Sequence, residues 1–374
     1  MSVVYKKLED VCEILDSRRV PITAKDRKAG AFPYYGANGL QDYVADYIFD
    51  DELVLLAEDG GNFGSKERPI AYRVSGKCWV NNHAHVLKAK PNMHVDYLCY
   101  ALMFYDTEGL VNGATRQKLT QAAMRQMVIP YRDMTEQLQI IEKISQIVRA
   151  IEKRKEELQL LDQLVKSRFI ELFGDYDLTH PQESWATIKE VGTVVGGATP
   201  KTDHDEYWGG SYRWITPAEL DADSGYIYDS VRKLTKAGVE SCSLQEMPVG
   251  TVILSSRAPI GKVAIAGNTF YCNQGFKNII CKEGITPRYL YTVLLLNVEY
   301  LNSLGRGATF KEISKGIVES IRIPVPSMEL QEQFAAFVEQ TDKSKYYSSL
   351  SFRYCQAAAN TYRQEWMTCR TSDF

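Results

Sequence analysis

Residues 135–173 read TEQLQIIEKISQIVRAIEKRKEELQLLDQLVKSRFIELF, and Gly174 follows them. The stretch has neither proline nor glycine and mixes Glu with Lys and Arg, and a glycine directly after it suits a helix C-terminus. It therefore predicts one continuous helix of about 39 residues, about 58 Å long at a rise of about 1.5 Å per residue.

The apolar residues of this helix recur at the alternating three-four spacing of a coiled-coil seam. They are Ile141, Ile144, Val148, Ile151, Leu158, Val165, Phe169 and Leu172, with Lys155 and Asp162 as interruptions. A seam requires a partner helix, and the best candidate is residues 328–367. Its looser apolar stripe consists of Phe334, Phe337, Val338, Leu350, Tyr354 and Trp366. An antiparallel pair with one domain at each end is the simplest geometry; the alternative is that each helix only covers its own domain.

The sequence before this helix is repeated after it. The tripeptide Gly113-Ala114-Thr115 returns as Gly307-Ala308-Thr309, 194 positions later, and Ile129 returns at the same distance as Ile323. Glu136-Gln137 at the helix start is matched to Glu332-Gln333, after two extra residues in the second connection. Apolar runs at residues 53–57 and 251–255 also align, as do residues 8–11 and 188–191. Units of about 190 residues are too long for solenoid repeats, so each predicts a domain with its own helix.

The length of 374 residues exceeds that of one ordinary domain, so two globular cores are expected. The content of 45% hydrophobic and 24% charged residues is typical of globular proteins. No apolar run approaches the roughly 20 residues that span a bilayer, and residues 1–10 lack signal-peptide features, so we expect a cytoplasmic protein without membrane contact. The eight cysteines include no C-x-x-C pair, which predicts reduced, packed thiols. A net charge of −3 means that DNA binding would need local basic loops or a partner.

The motifs of catalysis are missing from the sequence. The glycine loop at residues 60–66 leads into Glu67-Arg68-Pro69 and lacks the Gly-Lys-Ser/Thr of a nucleotide P-loop. Neither a methyl-donor glycine loop nor an Asn/Asp-Pro-Pro-Tyr/Phe methylase motif is present, and no carboxylate cluster is typical of a nuclease. We therefore expect no catalysis, no cofactor and no metal site in this chain.

Several segments in both halves of the chain are similar to those of one protein family. In the first half these are AEDG at residues 57–60, NNHAHV at 81–86 and KSRFIELFG at 166–174. In the second half they are RWITP at 213–217, SSRAPIGKVA at 255–264, IPVP at 323–326 and FVEQTDKSK at 337–345. With these segments the chain resembles the specificity subunits of type I restriction-modification enzymes. The resemblance covers nearly the whole chain, although the second helix departs from it after Lys343, where Ser, Tyr and Ala are frequent.

The resemblance implies two target recognition domains, each of which reads one half of a split sequence in double-stranded DNA. The helices would act as ruler and dock for partner adenine methyltransferase subunits, and restriction subunits would translocate and cut DNA. S-adenosylmethionine, ATP and Mg would be held by those partners. A rival function is a non-catalytic coiled-coil scaffold whose globular domains bind something other than DNA.

The sequence thus predicts an α+β chain of two tandem target recognition domains joined by two long helices that form an antiparallel coiled coil. The predicted domains are residues 1–133 and 175–326. Residues 134–174 form the central helix, and residues 327–374 form the C-terminal one.

Candidate DNA-binding residues fall in the duplicated glycine loops, which combine backbone amides, hydroxyls and cations before a predicted helix and so suit phosphate. They are Thr115, Arg116 and Lys118 in the first loop and Arg306, Thr309 and Lys311 in the second. A simple turn that glycine makes possible is the alternative. In the second domain, Arg suits guanine and Asn or Gln suits adenine; the candidates there are Arg257, Lys262, Asn273, Gln274 and Lys277.

The first domain adds two further groups of candidates. Lys66 and Arg68 could contact phosphates or be ordinary surface charges. Given the resemblance, at least one residue of the polar run with Asn82, His83 and His85 is expected to contact DNA, although the run could equally hold a turn together. The two histidines lack further ligands at a recognised spacing, which argues against a metal site.

Overall fold

The structure, a computed structural model, describes residues 4–113, 117–220, 225–242, 244–257, 259–307 and 311–367, with side chains up to residue 362. The chain forms two compact units, unit 1 from Met1–Glu156 with Ser349–Phe374 and unit 2 from Glu157–Ser348. In the described part of the chain, no helix combines the length and apolar character needed to cross a bilayer.

Unit 1 is built on a six-stranded sheet in the order β2-β7-β5-β6-β3-β4. The strands are β1 (Val4–Lys7), β2 (Cys12–Ile14), β3 (Ala29–Gly36), β4 (Gly39–Val44), β5 (Phe49–Ala57), β6 (Ala71–Val80), β7 (Ala84–Ala89), β8 (Val111–Asn112), β9 (Lys118–Leu119) and β10 (Val128–Tyr131). The helices are α1 (Leu8–Val11), α2 (Val95–Leu102), α3 (Gln121–Gln126) and the start of α4 (Met134–Phe173), with a 3-10 turn at Asp16–Arg18. The apolar run at residues 53–57 is fully buried in β5, between antiparallel β6 and β7, which is why it lacks a polar alternation.

Unit 2 contains a five-stranded sheet in the order β12-β19-β16-β17-β14 and a three-stranded sheet in the order β15-β13-β18. Its strands are β11 (Ala186–Thr187), β12 (Gly192–Val195), β13 (Trp208–Ile215), β14 (Tyr226–Ile227), β15 (Arg232–Leu234), β16 (Val252–Leu254), β17 (Val263–Ala266), β18 (Tyr271–Cys272), β19 (Asn278–Cys281) and β20 (Arg322–Ile323). Its helices are α5 (Ile188–Val191), α6 (Lys236–Glu240), α7 (Pro287–Leu296), α8 (Val298–Ser303), α9 (Lys315–Ser320) and part of α10 (Met328–Met367), with 3-10 turns at Asp205–Tyr207 and Pro217–Glu219.

The two units repeat each other bond for bond at several points, as the sequence repeat predicts. The Tyr97 hydroxyl donates to the Pro130 carbonyl at 2.9 Å, and the Tyr289 hydroxyl donates to the Pro324 carbonyl at 2.9 Å. Both units also pair their first strand antiparallel with their last, β1 with β10 and β11 with β20. The predicted α+β fold with duplicated domains is confirmed.

A buried glutamine ties the start of each long helix to its unit. Gln137 is fully buried. Its Nε2 donates to the carbonyl oxygens of Asn92 at 3.0 Å and Arg132 at 2.8 Å, and its Oε1 accepts from the His94 amide at 2.7 Å. One side chain thereby satisfies three backbone groups that burial would otherwise leave unpaired.

The equivalent residue in unit 2 is Gln331. It is fully buried, its Nε2 donates to the carbonyls of Gly284 at 3.0 Å and Pro326 at 2.9 Å, and its Oε1 accepts from the Thr286 amide at 2.8 Å. The matching of Glu136-Gln137 to Glu332-Gln333 was therefore wrong. Gln333 is exposed, and the spacing of 194 positions continues into the helix without two extra residues.

The long helices contribute antiparallel segments to each unit. In unit 2, the Ser348 hydroxyl donates to Glu157 at 2.8 Å and the Lys345 ammonium lies 2.5 Å from Asp162, so the residue numbers fall on one helix as they rise on the other. Asp162 interrupts the apolar seam because it forms this ion pair.

The same two helices also lie side by side in unit 1, where the Lys143 ammonium lies 5.6 Å from the centre of the Tyr362 ring. The predicted antiparallel coiled coil is confirmed. Tyr354, which the predicted stripe includes, is 68% exposed and does not belong to the buried face.

Candidate nucleic-acid interface

Three loops of unit 1 meet where β5, β6 and β9 end or begin. The Glu58 amide donates to the His83 carbonyl at 2.8 Å, and the Leu119 amide donates to the Glu58 carbonyl at 2.7 Å. The Gly60 amide donates to the Gln117 carbonyl at 3.3 Å. The end of the first glycine loop is therefore bonded to the loops that follow β5 and β6.

Unit 2 builds the same junction. The Ser256 amide donates to the Gly275 carbonyl at 2.8 Å, and the Ile313 amide donates to the Ser256 carbonyl at 2.9 Å. Arg257 and Glu312 form an isolated antiparallel bridge, as Asp59 and Lys118 do in unit 1. The duplicated loops thus sit in duplicated surroundings.

An asparagine shapes the second of these loops in each unit. The Asn81 side-chain oxygen accepts from the His83 amide at 2.8 Å, and the Asn273 side-chain oxygen accepts from the Gly275 amide at 2.9 Å. Asn273, a predicted base-reading residue, therefore uses its oxygen to form a turn. Its neighbour Gln274 is exposed and accepts a hydrogen bond from the Thr199 hydroxyl at 2.6 Å.

The polar run of unit 1 divides into exposed and buried members. Asn82 is exposed, and the His83 ring lies 2.6 Å from Asp59. His85 is fully buried, with Nδ1 2.6 Å from Asp16 and Nε2 2.9 Å from the Leu119 carbonyl. A ring without exposed surface cannot reach a base edge, so the structure does not support direct DNA contact by His85.

Exposed cations surround the junction of unit 1. Lys118 is half exposed and its ammonium lies 3.1 Å from Glu58. Lys66 and Arg68 are exposed on the loop after β5, where the Ser65 hydroxyl accepts from the Arg68 amide at 2.9 Å. Thr115 and Arg116 lie outside the described residues.

The cations of unit 2 have different roles. Arg257 is half exposed, and its Nε lies 2.9 Å from Glu312. Lys277 is only 14% exposed and its ammonium lies 3.2 Å from Glu312. The Lys262 ammonium donates to the Leu220 carbonyl at 2.8 Å and so closes the turn at Pro217–Glu219. The Lys262 ammonium is therefore engaged within unit 2.

The second glycine loop closes on itself. The Arg306 amide donates to the Glu312 carbonyl at 3.0 Å, and the Glu312 amide donates back at 2.9 Å. The side chains of Arg306 and Lys311 are exposed. Thr309 lies outside the described residues.

Four charged residues of these junctions were missed from the sequence: Asp16, Arg19, Glu58 and Glu312. Apart from the contact between Asp16 and Arg19, their side-chain hydrogen-bond partners are 35 or more positions away in the sequence, so no local spacing identifies them. The ligand atoms of Asp16, Glu58 and His85 lie within 4.8 Å of one another, a grouping compatible in principle with a metal ion. The Arg19 guanidinium already fills it, 2.7 Å from Glu58 and 3.4 Å from Asp16, so a divalent cation does not fit.

Both junctions hold an ionised carboxylate. Burial works to raise the pKa of Asp16, but the His85 ring, the Val86 amide and Arg19 together hold that pKa below its ordinary value. Burial likewise works to raise the pKa of Glu312, and Arg257 and Lys277 hold it below its ordinary value. Each carboxylate is therefore a fixed negative charge at neutral pH.

Two similar α+β units, each with cations around a cluster of loops and each with segments of two long helices, define a tandem-domain recognition protein. A family model for the type I restriction modification DNA specificity domain matches residues 2–161 and 182–346. The chain belongs to this family. The family membership does not favour the rival function as a scaffold.

Relatives agree with this assignment. The chain is 42% identical to the type I restriction enzyme MjaIX specificity subunit of Methanocaldococcus jannaschii over 48% of this chain and 43% of that protein. It is 37% identical to the putative specificity subunit S.HindORF215P of Haemophilus influenzae over 37% of this chain and 36% of that protein. These matches span less than half the length of either relative. A third match, 25% identical, covers 79% of this chain and 72% of the EcoR124I/EcoR124II specificity subunit of Escherichia coli.

Solved structures share the fold. The S subunit of the type I restriction-modification system of M. genitalium matches with a TM-score of 0.58 and 13% identity, over 98% of this chain and 96% of that one. A structure from work on complex assembly and conformational transition of the type I system matches with a TM-score of 0.53 and 15% identity, over the same shares.

Proposed function

We propose that this chain is the DNA-recognition subunit of a type I restriction-modification enzyme, and that each unit reads one half of a split target in double-stranded DNA. The observation that carries the proposal is the duplicated loop junction, with an exposed cation in each copy, in a chain of the specificity family. Two similar reading surfaces suit a target made of two halves.

The contacts would divide into two classes. Lysine and arginine side chains and loop amides suit phosphates, and arginine and side-chain amides also suit base edges. We assign phosphate contacts to Lys66, Arg68, Lys118, Arg306 and Lys311. We assign base contacts to Arg257, Asn82 and Gln274, which are exposed at the junctions.

The chain would act only with partners. Its net charge of −3 gives no overall attraction to DNA, so adenine methyltransferase subunits would supply part of the affinity. Those subunits would bring S-adenosylmethionine, restriction subunits would bring ATP and Mg, and this chain would perform no chemistry.

Co-expression tests the proposal. The chain together with an adenine methyltransferase subunit should methylate adenines within one split sequence, as read by sequencing of modified bases in the host DNA. The purified chain alone should transfer no methyl group. Methylation by the lone chain, or methylation by the complex without a split motif, would show that the proposal is wrong.

A further inference from the structure

Each loop junction contains a buried or nearly buried basic residue at the same place in the repeat. His85 lies on β7 and Lys277 directly precedes β19, and they are 192 positions apart, as are the turn-forming Asn81 and Asn273. Each pairs with the central strand of its sheet: His85 is in register with Leu56, and the Lys277 amide donates to the Leu254 carbonyl at 3.0 Å.

In unit 1 this residue, His85, holds the end of the glycine loop. Its Nε2 donates to the Leu119 carbonyl at 2.9 Å. Its Nδ1 lies 2.6 Å from Asp16, which also accepts from Gln121 at 3.0 Å. The backbone of Leu119 is therefore held on one side by His85 and on the other by Glu58.

The same site links the buried charge to an exposed one. Glu58 lies 3.7 Å from His85, 2.7 Å from Arg19 and 3.1 Å from Lys118. His85 has no exposed surface, whereas Lys118 is 50% exposed. The Glu58 carboxylate thus lies between Arg19 and His85 on the buried side and Lys118 on the surface.

Unit 2 has the same order of charges from the inside to the surface, but its carboxylate and its exposed cation come from different positions of the repeat. The Glu312 oxygens lie 3.2 Å from the Lys277 ammonium and 2.9 Å from the Arg257 Nε. In the repeat, Glu312 stands where unit 1 has Lys118, and Arg257 stands where unit 1 has Asp59. In unit 1 the carboxylate, Glu58, follows β5 and the exposed cation, Lys118, begins β9. In unit 2 the two are exchanged: the exposed cation, Arg257, follows β16 and the carboxylate, Glu312, follows the second glycine loop. The inner basic residue, His85 or Lys277, keeps its place in the repeat.

We propose that His85 and Lys277 are positioning residues for DNA recognition: Lys277 contacts the carboxylate that orients the exposed Arg257, and His85, together with Arg19, lies against the carboxylate that orients the exposed Lys118. The inference rests on the proposed function. A carboxylate without a second cation would hold the exposed one for itself and repel phosphate. When a cation also contacts the carboxylate from its buried side, that cation neutralises the carboxylate. The exposed cation is then held in place while its positive field still reaches DNA.

The arrangement suits base reading in unit 2 in particular. Glu312 engages Arg257 through Nε, one edge of the guanidinium. The edge formed by Nη1 and Nη2 is the one whose geometry matches the two acceptors of guanine. Lys277, which is only 14% exposed, would therefore determine selectivity at the base that Arg257 reads.

The test uses the chain in complex with its methyltransferase partner and a library of duplexes with both half-sites randomised, sequenced before and after selection. Lys277→Met should lower the enrichment at one base pair of the second half on the order of tenfold and leave the first half unchanged. Lys277→Arg, which keeps the cation, should retain the wild-type preference. The matched control is Lys282→Met, because Lys282 also bonds backbone carbonyls of unit 2, those of Lys189 and Glu190, but lies outside the junction.

A double variant separates positioning from mere stability. Lys277→Met with Glu312→Gln removes the uncompensated charge, so total affinity for duplexes should recover while selectivity at that base pair stays lost. If the total affinity of the double variant does not recover although its melting temperature is unchanged, the electrostatic role is contradicted.

Unit 1 gives an independent test that remains informative where Lys277→Met fails to fold. His85→Gln should weaken binding of all sequences and speed hydrogen exchange at the Leu119 amide. His85→Lys, which carries the residue of unit 2, should restore both; Lys90→Met, which removes bonds to the Glu9 and Asp10 carbonyls, is the control. A wild-type complex that selects no split motif would overturn the proposed function. If the wild-type complex selects the split motif, and all His85 and Lys277 variants bind and select duplexes as the wild type does, only this inference is overturned.

Discussion

Replacing Gln331 with Leu should destabilise the chain far more than replacing Gln333 with Leu, although the two residues are two positions apart on the same helix. Gln331 is fully buried and makes three hydrogen bonds to backbone groups, whereas Gln333 is exposed. Leucine has a similar volume but offers no polar atom, so two carbonyls and one amide would lose their partner.

Each buried polar group left unpaired costs about 1 to 3 kcal/mol, so Gln331→Leu should lower the free energy of unfolding by at least about 3 kcal/mol. In a unit of this size, a loss of about 3 kcal/mol corresponds to a fall of roughly 6 to 12 °C in melting temperature. Gln333→Leu should stay within about 0.5 kcal/mol of the unchanged chain.

The assay is thermal and urea unfolding of the purified chain, followed by circular dichroism at matched concentrations. Unit 1 provides the replicate, because Gln137 makes the same three bonds and the nearby Gln139 is exposed. Equal destabilisation by the two variants of either pair would refute the idea that the buried glutamine ties the helix to its unit.

Three further outcomes are expected. Lys118→Ala should weaken binding of the partnered complex to all duplexes alike and reduce the salt slope by about one, whereas Arg257→Ala should relax one base position at a cost of about 1 to 3 kcal/mol; a uniform effect of both would contradict their assignment. Burial raises the pKa of Cys12 and of Cys272 to about 12, so both thiols should resist labelling at pH 8 until the chain is unfolded, and rapid labelling of the native chain would disagree with their burial. Because the pKa of Asp16 is lowered below 3.8 in the folded chain, its contribution to stability is complete above that value and is lost as the pH falls through the folded pKa; Asp16→Asn should therefore flatten the fall of urea midpoints between about pH 5 and pH 2, and an unchanged profile would argue against the ion pair.

The long helices and the repeat could be predicted because their signals are local. Apolar spacing and the absence of proline and glycine gave residues 135–173, and the helix spans Met134–Phe173. The match to Gln333 failed because identical dipeptides carry no information about burial. Only the three backbone partners, which come from other loops, distinguish Gln331.

The site was predictable only in part for the same reason. Glycine loops and exposed cations such as Lys118 are visible in the sequence, and both occur at the junctions. Whether a cation is exposed or bonded inside depends on distant partners: His85 meets Asp16 69 positions away, and Lys277 meets Glu312 35 positions away. A sequence pattern cannot separate Lys277, which is 14% exposed, from Arg257, which is half exposed.

Exchange of one predicted domain tests the central claim most directly. Residues 175–326 are replaced by the corresponding segment of a family member with a different target, and the chimera is expressed with its methyltransferase partner. Sequencing of the methylated adenines should show a split motif in which the second half has changed and the first half is that of the original chain. A motif with both halves altered, or with neither altered, would contradict the claim that each unit reads its own half.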